Sequence, residues 1–190
     1  VGVPGADGQP VVLDMATTVA AYGKVKAKAK RGEMMPEGWM IDRQGQPLLD
    51  PKRAEEGFLL PIGGHKGYGL ALIVGLLAGT LNGAAMGKDV VDFNHDDVTP
   101  TNTGQSILVI DLNAFGDPTF FKAAVAKLVN DIHNSQRLPG VDKIWLPGEQ
   151  SEQRRNAYAV SGIPIPDNLV NELNTLALEL GIKPLTIAQT

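Results

Sequence analysis

The chain is predicted to be an α/β protein, because segments with helical patterns and segments with strand-like patterns both occur along it. Residues 68–81 are apolar over the length of a helix, and residues 105–111 contain four consecutive apolar side chains, which is typical of a buried strand. Residues 119–135 repeat apolar side chains at helical spacing. With 43% hydrophobic and 20% charged residues in 190, the chain is large enough to bury a core.

The composition excludes several classes of partner. A net charge of -4 and a pI near 5.3 argue against a nucleic acid held through its phosphates. The absence of cysteine excludes disulfides and thiolate metal ligands and fits a reducing, cytoplasmic location. The most apolar stretch, residues 69–81, is about 20 Å long as a helix, too short to cross a membrane. We therefore expect neither a nucleic-acid partner nor a membrane partner.

The first third of the chain is predicted to contain a strand, a helix and a long loop. Residues 10–15 have the apolar pattern of a short strand, and Thr17 and Thr18 can cap the helix that follows. Residues 19–31 permit a helix, which Gly32 would end. Residues 34–50 contain several glycine and proline turns, and loops of this length usually contribute to a site.

The middle of the chain is predicted to supply the centre of the fold. The helix at residues 68–81 is apolar nearly all round, and a helix of that kind is normally buried. The strand at residues 105–111 is expected to be buried on both faces. Both elements are therefore expected to be covered by other parts of the protein.

The last third is predicted to be mainly helical. Asp117 and Pro118 are typical of a helix start, and His133 falls on the polar side of the helix that follows, where we expect it to face solvent. Residues 152–159 form a further helical segment, and Asp167 is expected to cap a last helix.

Residues 60–69 carry the most informative motif. Four glycines surround His65 and Lys66 directly before the apolar helix. Glycine permits positive φ and close approach to a ligand, helix N-termini favour anions, and a lysine suits a phosphate. A glycine-rich turn that leads into a buried helix fits the same residues. The stretch lacks both the P-loop ending and the Gly-x-Gly-x-x-Gly pattern, so a nucleotide here would be held by a non-Rossmann route.

Acidic residues at turns form a second group of candidates. Asp14, Asp42 and Glu149 each stand beside a glycine or proline loop or at the end of a strand, and each also fits an ordinary cap or turn role. Residues 92–97 contain His95 among aspartates that could supply metal ligands, but the same composition is typical of a polar turn. No metal site is predicted.

Six short motifs follow one another along the chain: DMATT at 14–18, GK at 23–24, PEGWMID at 36–42, DP at 50–51, LPIGGHKGYG at 60–69 and LPGE at 146–149. Together and in this order they resemble those of the malate/L-lactate dehydrogenase family of NAD(P)-dependent 2-hydroxyacid oxidoreductases. The resemblance runs through essentially the whole chain. It implies a non-Rossmann α/β cofactor domain with a largely antiparallel sheet, joined to a helical domain that combines the two ends of the chain.

The resemblance also implies a division of the chain and a set of functional residues. Residues 1–116 would form the NAD(P)-binding domain, without its N-terminal part, and residues 117–190 the C-terminal segment of the helical domain. Asp42 matches an acid beside the catalytic histidine of the family. The cofactor, NAD or NADP, would contact Asp14, Met15, Ala16, Thr17, His65, Lys66, Gly148, Glu149 and Gln150.

The expected reaction is hydride transfer between NAD(P)H and a small 2-oxo acid, or the reverse with a 2-hydroxy acid. The family's proton-donating histidine and a nearby arginine lie in an N-terminal segment that this sequence does not contain. That segment is therefore an expected partner, and the chain alone is expected to be inactive. A nucleotide-binding module without catalysis remains the alternative, and the resemblance further implies a homodimer.

Overall fold

Five α-helices and four short strands form within residues 1–186, the part of the chain that this computed structural model describes. The strands pair in two separate two-stranded antiparallel sheets, β1 with β2 and β3 with β4. This mixture of helices and small sheets agrees with the predicted α/β class. In chain order the elements are β1 (Gly2–Val3), β2 (Val11–Val12), α1 (Tyr22–Arg31), β3 (Met40–Asp42), β4 (Gly57–Leu59), α2 (His65–Ala78), α3 (Pro118–His133), α4 (Glu149–Ser161) and α5 (Asp167–Glu179).

The chain divides into two compact units, which we call the central unit and the terminal unit. The central unit is Met15–Phe115, and the terminal unit joins Val1–Asp14 to the chain from residue 116 onward. Residues 1–14 were predicted to belong to the domain that precedes residue 117, and the helical domain was expected to combine the two ends of the chain. Within the terminal unit the backbone N–H of Val12 donates to the carbonyl of Pro147, at 3.2 Å.

The core of the central unit lies between α1 and the segment that was predicted to be an unstructured loop. Val25 of α1 and Met40 of β3 are almost fully buried, with exposed fractions of 1% and 2%. Trp39 packs partly buried against this cluster, which also contains Met35, Leu48 and Ala54. Burial of each larger side chain stabilises the unit by about 1.5–3 kcal/mol. The predicted end of α1 is confirmed, since Gly32 adopts a left-handed conformation with φ 67°.

Residues 105–111 do not form the predicted strand. Ile107 and Val109 are 87% and 84% exposed, and the segment has no regular structure before Asp111 caps a short 3-10 helix, Leu112–Ala114. A strand forms only where a neighbour accepts and donates backbone hydrogen bonds, and no part of residues 1–186 pairs with this segment. The prediction of a strand buried on both faces is therefore wrong for the described chain.

The predicted apolar helix is present as α2, but it is not buried. It begins three residues earlier than predicted, and of its 14 residues only Gly67 is buried. Leu70 and Ile73, for example, are 51% and 55% exposed. Within residues 1–186 no helix is both long enough and apolar enough to cross a bilayer.

Local sequence determines the start of α3 in the terminal unit. The Asp117 carboxylate accepts a hydrogen bond from the Thr119 backbone N–H at 2.8 Å, and Pro118 occupies the first helical position, as predicted. Helix α4 extends beyond the predicted segment at both ends. Asp167 was expected to cap α5, but it is the first helical residue, and Pro166 precedes it without a side-chain cap.

Candidate functional site

Backbone hydrogen bonds bring two predicted cofactor segments together in the central unit. The N–H of Ile62 donates to the carbonyl of Thr17 at 3.0 Å, and the N–H of Val19 donates to the carbonyl of Leu60 at 2.8 Å. Thr18 and Pro61 form the antiparallel bridge between these bonds. The structure thus places Thr17 beside the segment that leads directly into the glycine loop, and Met15 and Ala16, both exposed, precede it.

The glycine loop ends in an open helix start. Gly63 and Gly64 have φ values of 61° and 60°, the conformation for which the sequence predicted glycine. His65 and Lys66 are the first two residues of α2, and both are exposed. Neither side chain has a partner among residues 1–186. The first backbone N–H groups of a helix also lack intrahelical acceptors, so the loop presents N–H donors and an unpaired ammonium group.

The first turn of α2 also requires glycine at position 67. A Cβ added at this position would overlap the backbone carbonyl of Ile62. The same Ile62 donates to Thr17, so the close approach at Gly67 is part of the arrangement that joins the two segments. By contrast, a Cβ at Gly69 would meet no atom within 4 Å.

Asp42 lies at the end of β3 and organises the turn that follows. Its Oδ1 atom accepts backbone N–H groups of Gln44 at 2.9 Å and Gln46 at 2.8 Å. The backbone of Asp42 closes the same turn, because its N–H donates to the carbonyl of Gln46. The side chain is half-buried. The Asp42 carboxylate therefore stabilises the turn that follows β3. Asp42 belongs to the same compact unit as His65 and Lys66.

The other predicted cofactor residues lie in the terminal unit. Gly148 precedes α4 with φ 93°, and a Cβ at this position would come within 3.0 Å of the Val12 carbonyl oxygen. The turn before α4 therefore packs directly against β2, two residues before Asp14. Asp14 and Gln150 are exposed, whereas Glu149 is half-buried.

The carboxylate of Glu149 is held by three groups. Oε1 lies 2.6 Å from Nε2 of His133, and Oε2 lies 3.6 Å from Nζ of Lys143. The Leu146 backbone N–H donates to Oε2 at 3.2 Å, which closes the turn onto its own side chain. Burial raises the pKa of Glu149, but the Leu146 hydrogen bond and the charges of His133 and Lys143 outweigh it, so the pKa lies below its ordinary value.

His133 is a member of this site that the sequence prediction placed wrongly. It was expected to face solvent, but it is half-buried and contacts Glu149. The two atoms lie within ion-pair distance, and the buried Nε2 atom has no hydrogen bond of acceptable geometry within the described chain. Helical spacing in the sequence could have indicated this position, since His133 follows Val129 by four residues and therefore lies on the same face of α3.

A cavity of about 620 Å³ opens beside the turn, and we call it the α4 cavity. Its volume is typical of small-molecule sites. Val12 and Val129 contribute apolar wall, and the Trp145 ring is 39% exposed. Lys143 lies over this ring, with Nζ 4.0 Å from the ring centroid. The polar side chains that line the cavity are Gln9, Lys143, Glu149, Glu152, Gln153 and Asn156.

The histidine of the polar turn at residues 92–97 makes ion pairs on the surface. Nδ1 of His95 lies 3.0 Å from Asp92 and Nε2 lies 3.3 Å from Glu55, and these contacts raise the pKa of His95, the Asp92 hydrogen bond most. Backbone and side-chain hydrogen bonds from Asn94 lower the pKa of Asp92 to about 2. No group of three or more histidine or acidic side chains in residues 1–186 has the geometry of a metal site.

A second cavity, of about 560 Å³, lies in the central unit and is lined by residues 82–85 and 102–104. These residues carry no charged side chain. The cavity lies near the C-terminal end of α2, whereas His65 and Lys66 begin that helix, about 20 Å away along its axis. It is therefore separate from the glycine loop.

Comparison with known proteins identifies one family. The family model described as malate/L-lactate dehydrogenase matches residues 1–174. Malate dehydrogenase of Pyrococcus abyssi is 34% identical over 188 residues, and the NAD(+) ureidoglycolate dehydrogenase of Escherichia coli K12 is 33% identical over 175 residues. The crystal structure of a dehydrogenase from Sinorhizobium meliloti superposes with a TM-score of 0.81 at 36% identity.

These similarities extend over nearly the whole chain but over only part of each relative. They cover 95%, 92% and 92% of this chain, and 51%, 50% and 50% of the three relatives in the same order. The chain spans about half the length of the curated relatives it matches.

Replacement of Gly67 by alanine should destabilise the protein, whereas Gly69→Ala should not. The new Cβ would displace Ile62, and forced displacement in a packed region costs about 1–3 kcal/mol. Alanine at position 69 meets open space and should gain up to about 1 kcal/mol in helix propensity. Urea unfolding followed by circular dichroism gives both free energies. A Gly67→Ala protein as stable as Gly69→Ala would contradict the close contact.

Proposed function

The chain belongs to the malate/L-lactate dehydrogenase family, and from this we propose that the whole protein is an NAD(P)-dependent 2-hydroxyacid dehydrogenase. It would transfer a hydride between the nicotinamide cofactor and a small 2-oxo or 2-hydroxy acid. Two relatives support this substrate class, since one is named for malate and the other for ureidoglycolate. The name of the second also specifies NAD(+).

The glycine loop is the observation that carries the proposal. It combines two glycines of positive φ, an exposed helix start and a Lys66 ammonium group without a partner in residues 1–186. That combination fits the phosphates of a dinucleotide, because N–H donors and a cation face the same ligand. We propose His65 and Lys66, with Met15, Ala16 and Thr17, as cofactor contacts in the central unit. The absence of both common nucleotide motifs supports a non-Rossmann mode of binding.

We propose a second group of cofactor contacts in the terminal unit: Asp14, Gly148, Glu149 and Gln150. Support comes from the α4 cavity, which Gly148 and Glu149 line. Its aromatic ring and amide groups fit a nucleotide chemically. When bound, the nicotinamide group supplies or accepts the hydride. The residues of this chain would bind and orient the cofactor.

Asp42 is our candidate for a role in proton transfer. We propose that it lies beside a histidine of the N-terminal part of the whole protein and favours the protonated imidazole through its negative charge. Relatives about twice as long as this chain support such an additional segment. We further propose a cytoplasmic homodimer.

Turnover by the whole protein, isolated from its source, tests the proposal. Oxidation of NADH or NADPH in the presence of malate-type, lactate-type and ureidoglycolate-type 2-oxo acids should be visible as loss of the absorbance of the reduced nicotinamide. Cofactor binding by calorimetry without turnover of any acid would instead support a non-catalytic nucleotide-binding protein. Absence of both binding and turnover would reject the two functions together.

Replacement of Lys66 by alanine should weaken cofactor binding by about tenfold, the effect expected when one charged contact is lost. Lys52→Ala is the matched control, because Lys52 is also an exposed lysine of the central unit but lies outside the glycine loop. Calorimetry with NADH measures both affinities. Equal affinities in the two variants would remove Lys66 from the site.

Replacement of Asp42 by asparagine should separate its two roles. The amide oxygen can still accept the N–H groups of Gln44 and Gln46, so the melting temperature should stay close to that of the wild type. Loss of the charge should lower kcat by about a hundredfold, within the range of acid–base catalysis. An unchanged kcat would exclude Asp42 from proton transfer, whatever the melting temperature.

A further inference from the structure

The α4 cavity differs from the glycine loop in the charges that face it. Its charged side chains are Lys143, Glu149 and Glu152, one cation against two carboxylates. Lys143 is already engaged, since Nζ lies 3.6 Å from Glu149 and 4.0 Å from the centroid of the Trp145 ring. Glu152 is 44% exposed, and its contact with Arg155 is long, at 3.5 Å. Because His133 and Lys143 both hold Glu149, the accessible charge at the wall of the cavity is the carboxylate of Glu152.

The neutral groups of the cavity match the parts of a nucleoside. The Trp145 ring, one face of which Lys143 covers, offers its remaining exposed surface to a purine base. The amides of Gln9, Gln153 and Asn156 can both donate and accept hydrogen bonds, as base edges and ribose hydroxyls require. A carboxylate accepts hydrogen bonds from a pair of ribose hydroxyls, the arrangement by which an acid selects NAD in other folds.

We propose that the α4 cavity binds the adenosine part of the cofactor and that Glu152 selects a free ribose 2′-hydroxyl. The whole protein would therefore prefer NAD(H) to NADP(H). This inference rests on the proposed function, because it takes a nicotinamide dinucleotide as the ligand. A free hydroxyl donates to the carboxylate, whereas a 2′-phosphate would bring negative charge against Glu152.

A preference for NADP(H) would require a lysine or arginine that reaches the cavity and is not already engaged in an ion pair. Among the described residues, Lys143 is the only lysine or arginine of the lining, and Glu149 holds it. Arg155 is adjacent, but it is 80% exposed, does not line the cavity and contacts Glu152 itself. The described structure thus offers a 2′-phosphate no unpaired cation at this cavity.

Calorimetry on the whole protein tests the inference with four ligands. Adenosine 5′-monophosphate and adenosine 2′,5′-bisphosphate probe the adenosine part alone, and NADH and NADPH probe the complete cofactor. We expect the monophosphate to bind about tenfold more tightly than the bisphosphate, since one repulsive charge contact has about this effect. For the same reason we expect NADH to bind more tightly than NADPH.

Two variants locate the effect. Glu152→Gln keeps the side-chain shape and removes the charge, so the preference for the monophosphate and for NADH should shrink severalfold toward equality. Glu179→Gln on α5 removes a carboxylate that is exposed and outside the cavity, and it should leave both ratios unchanged. Thermal unfolding of the three proteins should give similar midpoints, because both replacements are conservative and neither residue is buried.

The possible results separate this inference from the proposed function. NADH binding with no preference over NADPH, or with a preference that Glu152→Gln leaves unchanged, overturns the role of Glu152 and keeps the dehydrogenase proposal. NADH binding without any binding of the monophosphate overturns the assignment of the cavity to adenosine. If neither NADH nor NADPH binds, both proposals are wrong.

Discussion

The backbone hydrogen bonds between residues 17–19 and residues 60–62 are the constraint on which the candidate site of the central unit depends. They fix the segment immediately before the glycine loop, and the Leu60 N–H extends the connection by donating to the carbonyl of Trp39 at 3.0 Å. Trp39 packs against the buried cluster of the unit. The exposed start of α2 is therefore attached to a packed core within a few residues. A binding loop held in this way loses less conformational freedom when a ligand orders it.

Glu149 has the corresponding role in the terminal unit, where one carboxylate organises the turn before α4. It accepts the Leu146 N–H and balances its charge against His133 and Lys143, so a half-buried carboxylate can stay ionised. The turn keeps its shape because the backbone and the side chain of the same short segment bind each other. A residue that the family resemblance associates with the cofactor is thus also a structural residue of this unit. Its ionic partners limit how freely it can bind a ligand, which leaves Glu152 as the more accessible acid.

The features that the sequence predicted correctly depend on neighbours along the chain. Gly32 ends α1 through its own left-handed conformation, and the start of α3 at Asp117 follows from one local hydrogen bond. Residues 105–111 were predicted wrongly, because strand formation requires a distant partner and local hydrophobicity does not reveal whether one is present. The pairing of His133 with Glu149 joins residues that are 16 positions apart, so helix periodicity could indicate its face but not its partner. The six motifs identified the family, which spacing alone could not have done.

Two lysines of this chain differ in how available they are to an anionic ligand group. Lys66 has no partner in residues 1–186, so its charge is available to a ligand at no cost in broken ion pairs. Lys143 lies between the Glu149 carboxylate and the Trp145 ring, and an anion could recruit it only by displacing those contacts. An anionic ligand group is therefore better accommodated at the glycine loop. A neutral, hydroxyl-rich group is better accommodated in the α4 cavity, where the accessible charge is negative.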